Sequence, residues 1–135
     1  MEKENKEQYK IAVIEDEEII SKSISEELEE AGFKVVKAFN GEEGLQLILK
    51  EAPDLVLLDV VMPKMDGMTM LNKLRKSGPE YGQNVPVVLL TNLNADDKIM
   101  HGVTMNEPSY YLVKSQWELP DVVKKVKECL EISLR

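Results

Sequence analysis

Hydrophobic residues in this chain are concentrated in five short runs separated by polar segments. The runs are YKIAVI, FKVVKAF, DLVLLD, VPVVLL and SYYLV, and they begin at residues 9, 33, 54, 85 and 109. All five are rich in β-branched, leucine or aromatic residues, and short runs of this composition are typical of β-strands. The pattern therefore predicts five strands.

Between these runs, apolar residues recur every three or four positions, which is the spacing of an amphipathic helix. The stretch from Glu17 to Ala31 is the most regular, and Gly32 stands where such a helix would end. The predicted apolar faces are Ile20, Ile24 and Leu28; Leu45, Ile48 and Leu49; Leu71 and Leu74; and Val122, Val123, Val126 and Leu130. A further helix about residues 94–105 is the least regular, because only Ile99 and Val103 define its apolar face.

Strands that alternate with helices predict a parallel sheet with helices on both faces. The nearly continuous apolar runs at 55–58 and 87–90 fit strands that are buried on both sides. We therefore predict an α/β fold, a flavodoxin-like (βα)5 three-layer sandwich with a parallel five-stranded sheet of order 2-1-3-4-5. Residues 1–8 are predicted to be a polar tail, and residues 9–135 a single domain.

Polar residues stand at the carboxyl ends of the predicted strands, where open parallel sheets bind their ligands. Glu15 and Asp16 follow the first strand, and Asp59 ends the third. Thr91 ends the fourth strand, and Lys114 follows the fifth. Because the predicted order makes the first and third strands neighbours, we expect these side chains to converge at one edge of the sheet.

Three converging carboxylates repel one another and favour a bound cation. Oxygen ligands without histidine or thiolate favour a hard ion, so Glu15, Asp16 and Asp59 predict a site for Mg²⁺, or for Mn²⁺. Beside such an ion, Asp59 would act as a nucleophile toward a phosphoryl donor and form an acyl phosphate. Lys114 would neutralise the developing charge, and Thr91 would donate a hydrogen bond to a phosphoryl oxygen.

Composition limits the class of protein. The chain has 135 residues, of which 43% are hydrophobic, and this is enough for one core. Its net charge is −8 and its basic residues are scattered, so direct binding to nucleic acid is not expected. The single cysteine, Cys129, cannot form an internal disulfide, and the apolar run IAVI is too short for a signal peptide or a membrane span. We expect a cytoplasmic protein without membrane insertion.

The segments IEDE, LVLLDVVMPKMDGM, LLTN and YYLVK, in this order, resemble the response-regulator receiver domain of two-component signalling, from about Tyr9 to the end of the chain. The resemblance implies that Asp59 is the phosphoacceptor, and that Glu15, Asp16 and the backbone carbonyl of Val61 hold Mg²⁺. It further implies a phosphate-binding and switching role for Thr91, Lys114 and Tyr111, while Pro63 and Gly67 match the loop after the phosphorylation site. We expect Gly67 to serve as a residue free in φ at a turn.

The chain departs from the family pattern at three places. Ser115 replaces the proline that usually follows the lysine, and Asn92 replaces a small residue after Thr91. The turn before the fifth strand reads NEPS, where the family usually has small residues and glycine. We expect Ser115 to affect how closely Lys114 approaches the phosphate, and Asn92 to narrow access to it. We expect the NEPS turn to reshape the surface between the fourth helix and the fifth strand, through which the family normally binds its output partner.

The family also places the attacking water of dephosphorylation beside two residues, which here are Val61 and Leu93. Neither side chain can orient or activate water. We therefore predict a long-lived acyl phosphate that is removed slowly without a partner. The implied partners are a histidine kinase or histidine phosphotransferase and an output protein, with the chain itself a monomer or weak dimer.

Simpler interpretations exist for each residue. Asp59 alone would suit a turn or a helix cap, and Glu15 and Asp16 would suit a helix N-terminus. Lys114 could be a solvated surface residue, Thr91 could simply end a strand, and Tyr111 could be a core or surface aromatic without a switching role. Three other functions also compete: a pseudo-receiver that binds partners without switching, an aspartyl-phosphate phosphatase, and a flavodoxin-like nucleotide or flavin binder. The phosphatase would need an acid at the position of Val61, and the binder would need a glycine- or hydroxyl-rich loop in place of IEDEEIISKS.

Overall fold

The computed structural model describes residues 8–60, 65–77, 85–91, 110–113 and 118–130. From the first strand to the fourth, strands and helices alternate as the sequence predicts, and a helix follows the fifth strand. The elements are β1 (Lys10–Ile14), α1 (Glu18–Glu30), β2 (Lys34–Ala38), α2 (Gly41–Glu51), β3 (Leu55–Asp59), α3 (Gly67–Arg75), β4 (Val87–Thr91), β5 (Tyr110–Val113) and α4 (Leu119–Cys129). The helix predicted about residues 94–105 and most of the predicted tail lie outside the described residues.

All five strands pair in parallel, in the order β2-β1-β3-β4-β5. This confirms the predicted sheet and makes β1 and β3 neighbours, with Ile14 opposite Leu58. β3 is therefore the central strand, and all five of its residues are buried. Of the helices in the described ranges, none has the length and apolar character needed to cross a bilayer.

Two hydrophobic layers lie on opposite faces of the sheet. Because side chains alternate along a strand, Leu55 and Leu57 face one layer while Val56 and Leu58 face the other. Helices α1 and α4 cover the first layer, and helices α2 and α3 cover the second. The sheet and the helices on its two faces form the three-layer sandwich that the sequence predicts.

Local signals fix where the helices begin and end. Asn40 caps α2 by accepting a hydrogen bond from the backbone N–H of Glu43 at 2.9 Å. Asp66 caps α3 in the same way, through the N–H of Thr69 at 2.8 Å, and such caps satisfy backbone donors that the helix itself leaves unpaired. Gly32 follows α1 with φ +99°, in the region that favours glycine. The end of α1 is therefore where the sequence predicts it.

The apolar face of α2 differs from the prediction. Leu49, expected to face the core, is 50% exposed, and Gly44 is buried in its place. A Cβ at Gly44 would lie 2.7 Å from Cγ2 of Ile14 and 3.3 Å from the sulfur of Met70. The helix can approach β1 this closely because Gly44 has no side chain, a contact that counting apolar residues does not reveal.

At the amino edge of the sheet, charged residues connect β1 to the end of α2 and to the residue before β3. The backbone N–H of Lys10 donates to the Asp54 carboxylate at 2.8 Å. The Lys10 ammonium donates to the Glu51 carboxylate at 2.9 Å, and this hydrogen bond, with the attraction of the opposite charge, lowers the pKa of Glu51. This edge is thus held by complementary charges.

Candidate functional site

The carboxyl edge of the sheet, in contrast, gathers like charges. β1 ends at Ile14, so Glu15 and Asp16 continue directly from it, while the neighbouring strand β3 ends at Asp59. One carboxylate oxygen from each of these three residues lies within 4.8 Å of the corresponding oxygens of the other two. The structure therefore brings together the three carboxylates that the sequence selects.

Burial makes this arrangement costly for the protein. Glu15 is fully buried, Asp59 is 5% exposed, and Asp16 is half-buried. Carboxylates removed from water lose hydration, and neighbouring negative charges raise the free energy further. Such a cluster favours the binding of a cation.

The backbone around Glu15 explains how its side chain is directed into the cluster. Its N–H donates to the carbonyl of Ala38 at 3.1 Å, which extends the pairing of β1 and β2 by one step. Its carboxylate accepts a hydrogen bond from the N–H of Glu17 at 3.2 Å, at the start of α1. A carboxylate at this position is also stabilised by the positive end of the helix dipole. Glu15 therefore acts at a helix N-terminus, as the simpler interpretation has it, and also belongs to the cluster.

The donor set fits a hard divalent ion. It consists only of carboxylate oxygens, and Asp16 is open enough to solvent for water ligands. Mg²⁺ is usually held by one or two carboxylates, waters and phosphate oxygens. The three carboxylates within 4.8 Å of one another supply oxygen ligands of this kind and have the charge to compensate such an ion. The predicted carbonyl ligand, on Val61, lies outside the described residues.

Gly67 contributes to the site, but for a different reason from the one expected. It is the first residue of α3 and does not have positive φ, so the prediction that it provides freedom in φ is wrong. A Cβ here would overlap the carbonyl oxygen of Asp59 and lie 2.9 Å from Cα of Val60. The absence of a side chain thus allows α3 to begin against the backbone of the third strand's end, where the N–H of Gly67 donates to the carbonyl of Val60 at 2.8 Å.

The backbone places two further predicted residues in the sheet. Thr91 is the last residue of β4 and lies one step beyond Leu90, which pairs with Asp59. Tyr111 lies in β5, which ends at Val113, one residue before Lys114. The remaining positions named from the sequence, Lys114, Ser115, Val61, Pro63, Asn92 and Leu93, are outside the described part of the chain, and their roles stay predictions.

The hydrophobic pattern does not identify Gly41, a residue near the site. Gly41 begins α2, and a Cβ on it would overlap the carbonyl oxygen of Met65, in the segment between Asp59 and α3. The sequence FNGEEG does signal a helix start, because Asn40 suits a cap. Nothing in this sequence indicates, however, that Gly41 contacts Met65, which lies beyond β3.

Comparison with known proteins agrees with these observations. A family model described as "Response regulator receiver domain" matches residues 11–127. The chain is 30% identical over 118 residues to "Transcriptional regulatory protein DltR" of Streptococcus agalactiae, covering 87% of this chain and 50% of that protein. It is 31% identical over 121 residues to "DNA-binding dual master transcriptional regulator RpaA" of a Synechocystis species, covering 90% of this chain and 48% of that protein.

Solved structures give the same result. A response regulator receiver domain protein (CheY-like) from Methanospirillum hungatei superposes with a TM-score of 0.82 at 27% identity, covering 92% of this chain and 94% of that one. The chain spans about half the length of the two curated relatives named above. The match therefore concerns one domain of those proteins.

Proposed function

The chain belongs to the response regulator receiver family, and on this premise we propose that it is a phosphorylation-dependent signalling switch whose phosphoacceptor is Asp59. The observation that carries the proposal is the cluster of Glu15, Asp16 and Asp59 within 4.8 Å at the carboxyl edge of the sheet. Receiver domains are signalling modules rather than turnover enzymes, and the family implies a histidine kinase partner and a downstream output. Asp59 has the most suitable position for acceptance, because it ends the central strand.

The proposed reaction is an in-line transfer to a carboxylate oxygen of Asp59. That oxygen forms a bond to phosphorus while the bond from phosphorus to the imidazole nitrogen of a phosphohistidine breaks. The imidazole leaves with the electron pair and takes up a proton from solvent. A small acyl phosphate would react in the same way, with a carboxylate as the leaving group.

Glu15, Asp16 and Asp59 would hold Mg²⁺, or Mn²⁺, together with the carbonyl of Val61. When bound, the ion supplies positive charge to the oxygens of the incoming phosphoryl group. The residues of the chain provide the rest: β1 and β3 hold the carboxylates at fixed positions, and burial of Asp59 limits access by water. Without a cation, Glu15 and Asp16 would repel a phosphoryl group by their charge.

Three more residues are proposed to complete the site. Lys114 would place its ammonium against a phosphoryl oxygen, and Thr91 would donate a hydrogen bond to another. Tyr111 would change position as Thr91 engages the phosphoryl group and so alter the surface offered to partners. The strand register supports these roles, because β4 ends beside Asp59, and β5, which ends just before Lys114, is the next strand outward.

Phosphorylation can change the affinity for a partner only if the partner binds one conformation of the domain more tightly than the other. The coupling free energy between two such events is typically about 1–3 kcal/mol. We propose a protein as the output partner, with no direct contact between this domain and nucleic acid, since the net charge is −8. A cytoplasmic location and a monomeric or weakly dimeric state stay predictions.

We further propose that the acyl phosphate is long-lived. Val61 and Leu93, in the positions that flank the attacking water, have no group that can orient it. The test is the rate at which the purified phosphorylated protein loses its phosphoryl group, compared with Val61→Asn and Leu93→Gln. Faster loss in either variant supports the proposal, whereas rapid loss that neither substitution alters would refute it.

The central test is incubation with Mg²⁺ and acetyl phosphate, followed by intact-mass measurement of the native chain and Asp59→Asn. One phosphoryl group is expected on the native chain and none on the variant. Asp54→Asn is the matched control, because Asp54 lies at the opposite end of the same strand, bonded to Lys10, and it should be phosphorylated normally. An equal adduct on Asp59→Asn would overturn the assignment, and an unmodified native chain would favour a pseudo-receiver.

A further inference from the structure

The first turn of α2 lies against the segment that follows the phosphoacceptor. A Cβ on Gly41 would overlap the carbonyl oxygen of Met65 and lie 2.8 Å from its carbonyl carbon. Both atoms belong to the backbone, so no rotation of a side chain could relieve the overlap. Only glycine allows α2 and residue 65 to come this close.

The same segment is also anchored where it begins and where it ends. The N–H of Gly67 donates to the carbonyl of Val60 at 2.8 Å. A Cβ on Gly67 would lie 2.9 Å from Cα of Val60, so α3 starts directly against the end of β3. Val60 and Gly67 are therefore fastened to each other, and Met65 is held against α2.

The start of α2 is itself fixed to β1. Gly44, one turn after Gly41, allows the helix to approach the side chain of Ile14, the residue before Glu15. The first turn is further held by the side chain of Asn40, which accepts from the N–H of Glu43 at 2.9 Å, and by its carbonyl, which accepts from the N–H of Gly44 at 2.9 Å. Helix α2 thus contacts both the strand that leads to Glu15 and Asp16 and the segment that follows Asp59.

We propose that Gly41 is a positioning residue for the carboxylate site. By letting α2 rest against Met65, it sets the distance between the acidic pair on β1 and the loop after Asp59. This proposal rests on the function proposed above and deepens it, because it assigns a role in metal binding to a residue that touches neither the ion nor the phosphoryl group. Residues that hydrogen-bond to metal ligands commonly change metal affinity by about 10- to 100-fold. For Gly41, which acts through the backbone of residue 65, we expect the lower end of that range.

The test compares Gly41→Ala with Gly44→Ala, two substitutions on the same helix. Both introduce one methyl group and the same gain in helix propensity. In Gly41→Ala the methyl meets the backbone of residue 65, whereas in Gly44→Ala it meets the side chains of Ile14 and Met70. Calorimetric titration with Mg²⁺, without any phosphodonor, gives the dissociation constant, and urea unfolding gives the stability of each variant.

The dissociation constant for Mg²⁺ should rise about tenfold in Gly41→Ala. It should rise by less in Gly44→Ala, because the side chains of Ile14 and Met70 can shift where the backbone of residue 65 cannot. A merely structural role for Gly41 would lower stability and leave the dissociation constant of the folded protein unchanged. That outcome, or an equal rise in both single variants, overturns the proposal.

If Gly41→Ala does not fold, hydrogen exchange of the native protein decides the question. Mg²⁺ should slow exchange at the amides of Glu43 and Gly44, in the first turn of α2, as well as at Gly67, since coupling between two sites is reciprocal. Unchanged exchange in α2 on saturation with Mg²⁺ would refute the role of Gly41. A native chain that binds Mg²⁺ and takes no phosphoryl group would refute the proposed function alone.

Discussion

Removing the charge of Asp59 should make the metal-free protein more stable. In the absence of a cation, the Asp59 carboxylate lies within 4.8 Å of a carboxylate oxygen of both Glu15 and Asp16. Asp59→Asn keeps the size of the side chain while removing its charge, so it relieves two repulsive pairs. A substitution that abolishes the proposed activity is thus expected to raise the free energy of unfolding.

The magnitude follows from Coulomb's law. Two unit charges 4.8 Å apart repel by about 3.5 kcal/mol at an effective dielectric constant of about 20. Solvent around the half-buried Asp16 screens its pair, and Asp59 takes part in a further polar or electrostatic interaction that asparagine would weaken. We therefore expect a net gain of about 1–3 kcal/mol in the variant.

The assay is urea unfolding of the native chain and Asp59→Asn, first with a chelator and then with millimolar Mg²⁺. A ligand that binds only the folded state stabilises it by RT ln(1 + [L]/Kd), so Mg²⁺ should raise the stability of the native chain more than that of the variant. Asp54→Asn, the control just before β3, replaces the charged acceptor of the Lys10 N–H by a neutral amide oxygen, so any loss of stability should be the same in both conditions. The reasoning is refuted if Asp59→Asn gains no stability in chelator, or if Mg²⁺ stabilises it as much as the native protein.

Three more outcomes are expected. Gly67→Ala should lower the free energy of unfolding by about 1–3 kcal/mol, because its Cβ would overlap the backbone at the end of β3; a loss below that range in urea unfolding would contradict the close approach. Burial raises the pKa of the Cys129 thiol from 9.0 to about 11, so alkylation at pH 8 should be about 100-fold slower in the folded than in the unfolded chain. For the same reason the folded state should lose stability as the pH rises from 9.0 toward 11, and equal alkylation rates would rule out this burial. Lys10 lowers the pKa of Glu51 from its ordinary value of 4.5. The pair should therefore stabilise the fold above pH 4.5, and this stabilisation should be lost as the pH falls through the lowered pKa of Glu51. Lys10→Met should remove part of this acid dependence, measured as the urea midpoint against pH.

The strand order and the convergence of the acidic residues could be predicted from the sequence. Strands such as Leu55–Asp59 are short and almost wholly apolar, so their location is clear from composition alone. Once the order 2-1-3-4-5 is assumed, the residues after β1 and at the end of β3 must meet, because parallel strands end at the same edge of the sheet. The cluster of Glu15, Asp16 and Asp59 confirms that argument.

Contacts that depend on a missing side chain could not be predicted. A Cβ at Gly41, Gly44 or Gly67 would collide with another part of the chain. The pattern of hydrophobic residues does not reveal this, because glycine has no side chain that could mark a buried face. For the same reason the prediction that Leu49 faces the core is wrong, because the face of α2 that packs most closely is the one that includes Gly44. Such contacts depend on distances between segments far apart in sequence, which no local pattern contains.

The position of Asp59 also has a consequence for how the chain finds its fold. Leu55 to Leu58 are buried on both faces of the sheet, so they lack the alternation of polar and apolar residues that normally fixes strand register. A slip of β3 by one residue would exchange one apolar side chain for another and lose little hydrophobic burial. Such a slip would, however, either bring Asp54 into the sheet or move Asp59 deeper into it, because these carboxylates stand on the two sides of the apolar residues. The residue proposed to receive the signal therefore also marks the alignment of the central strand during folding.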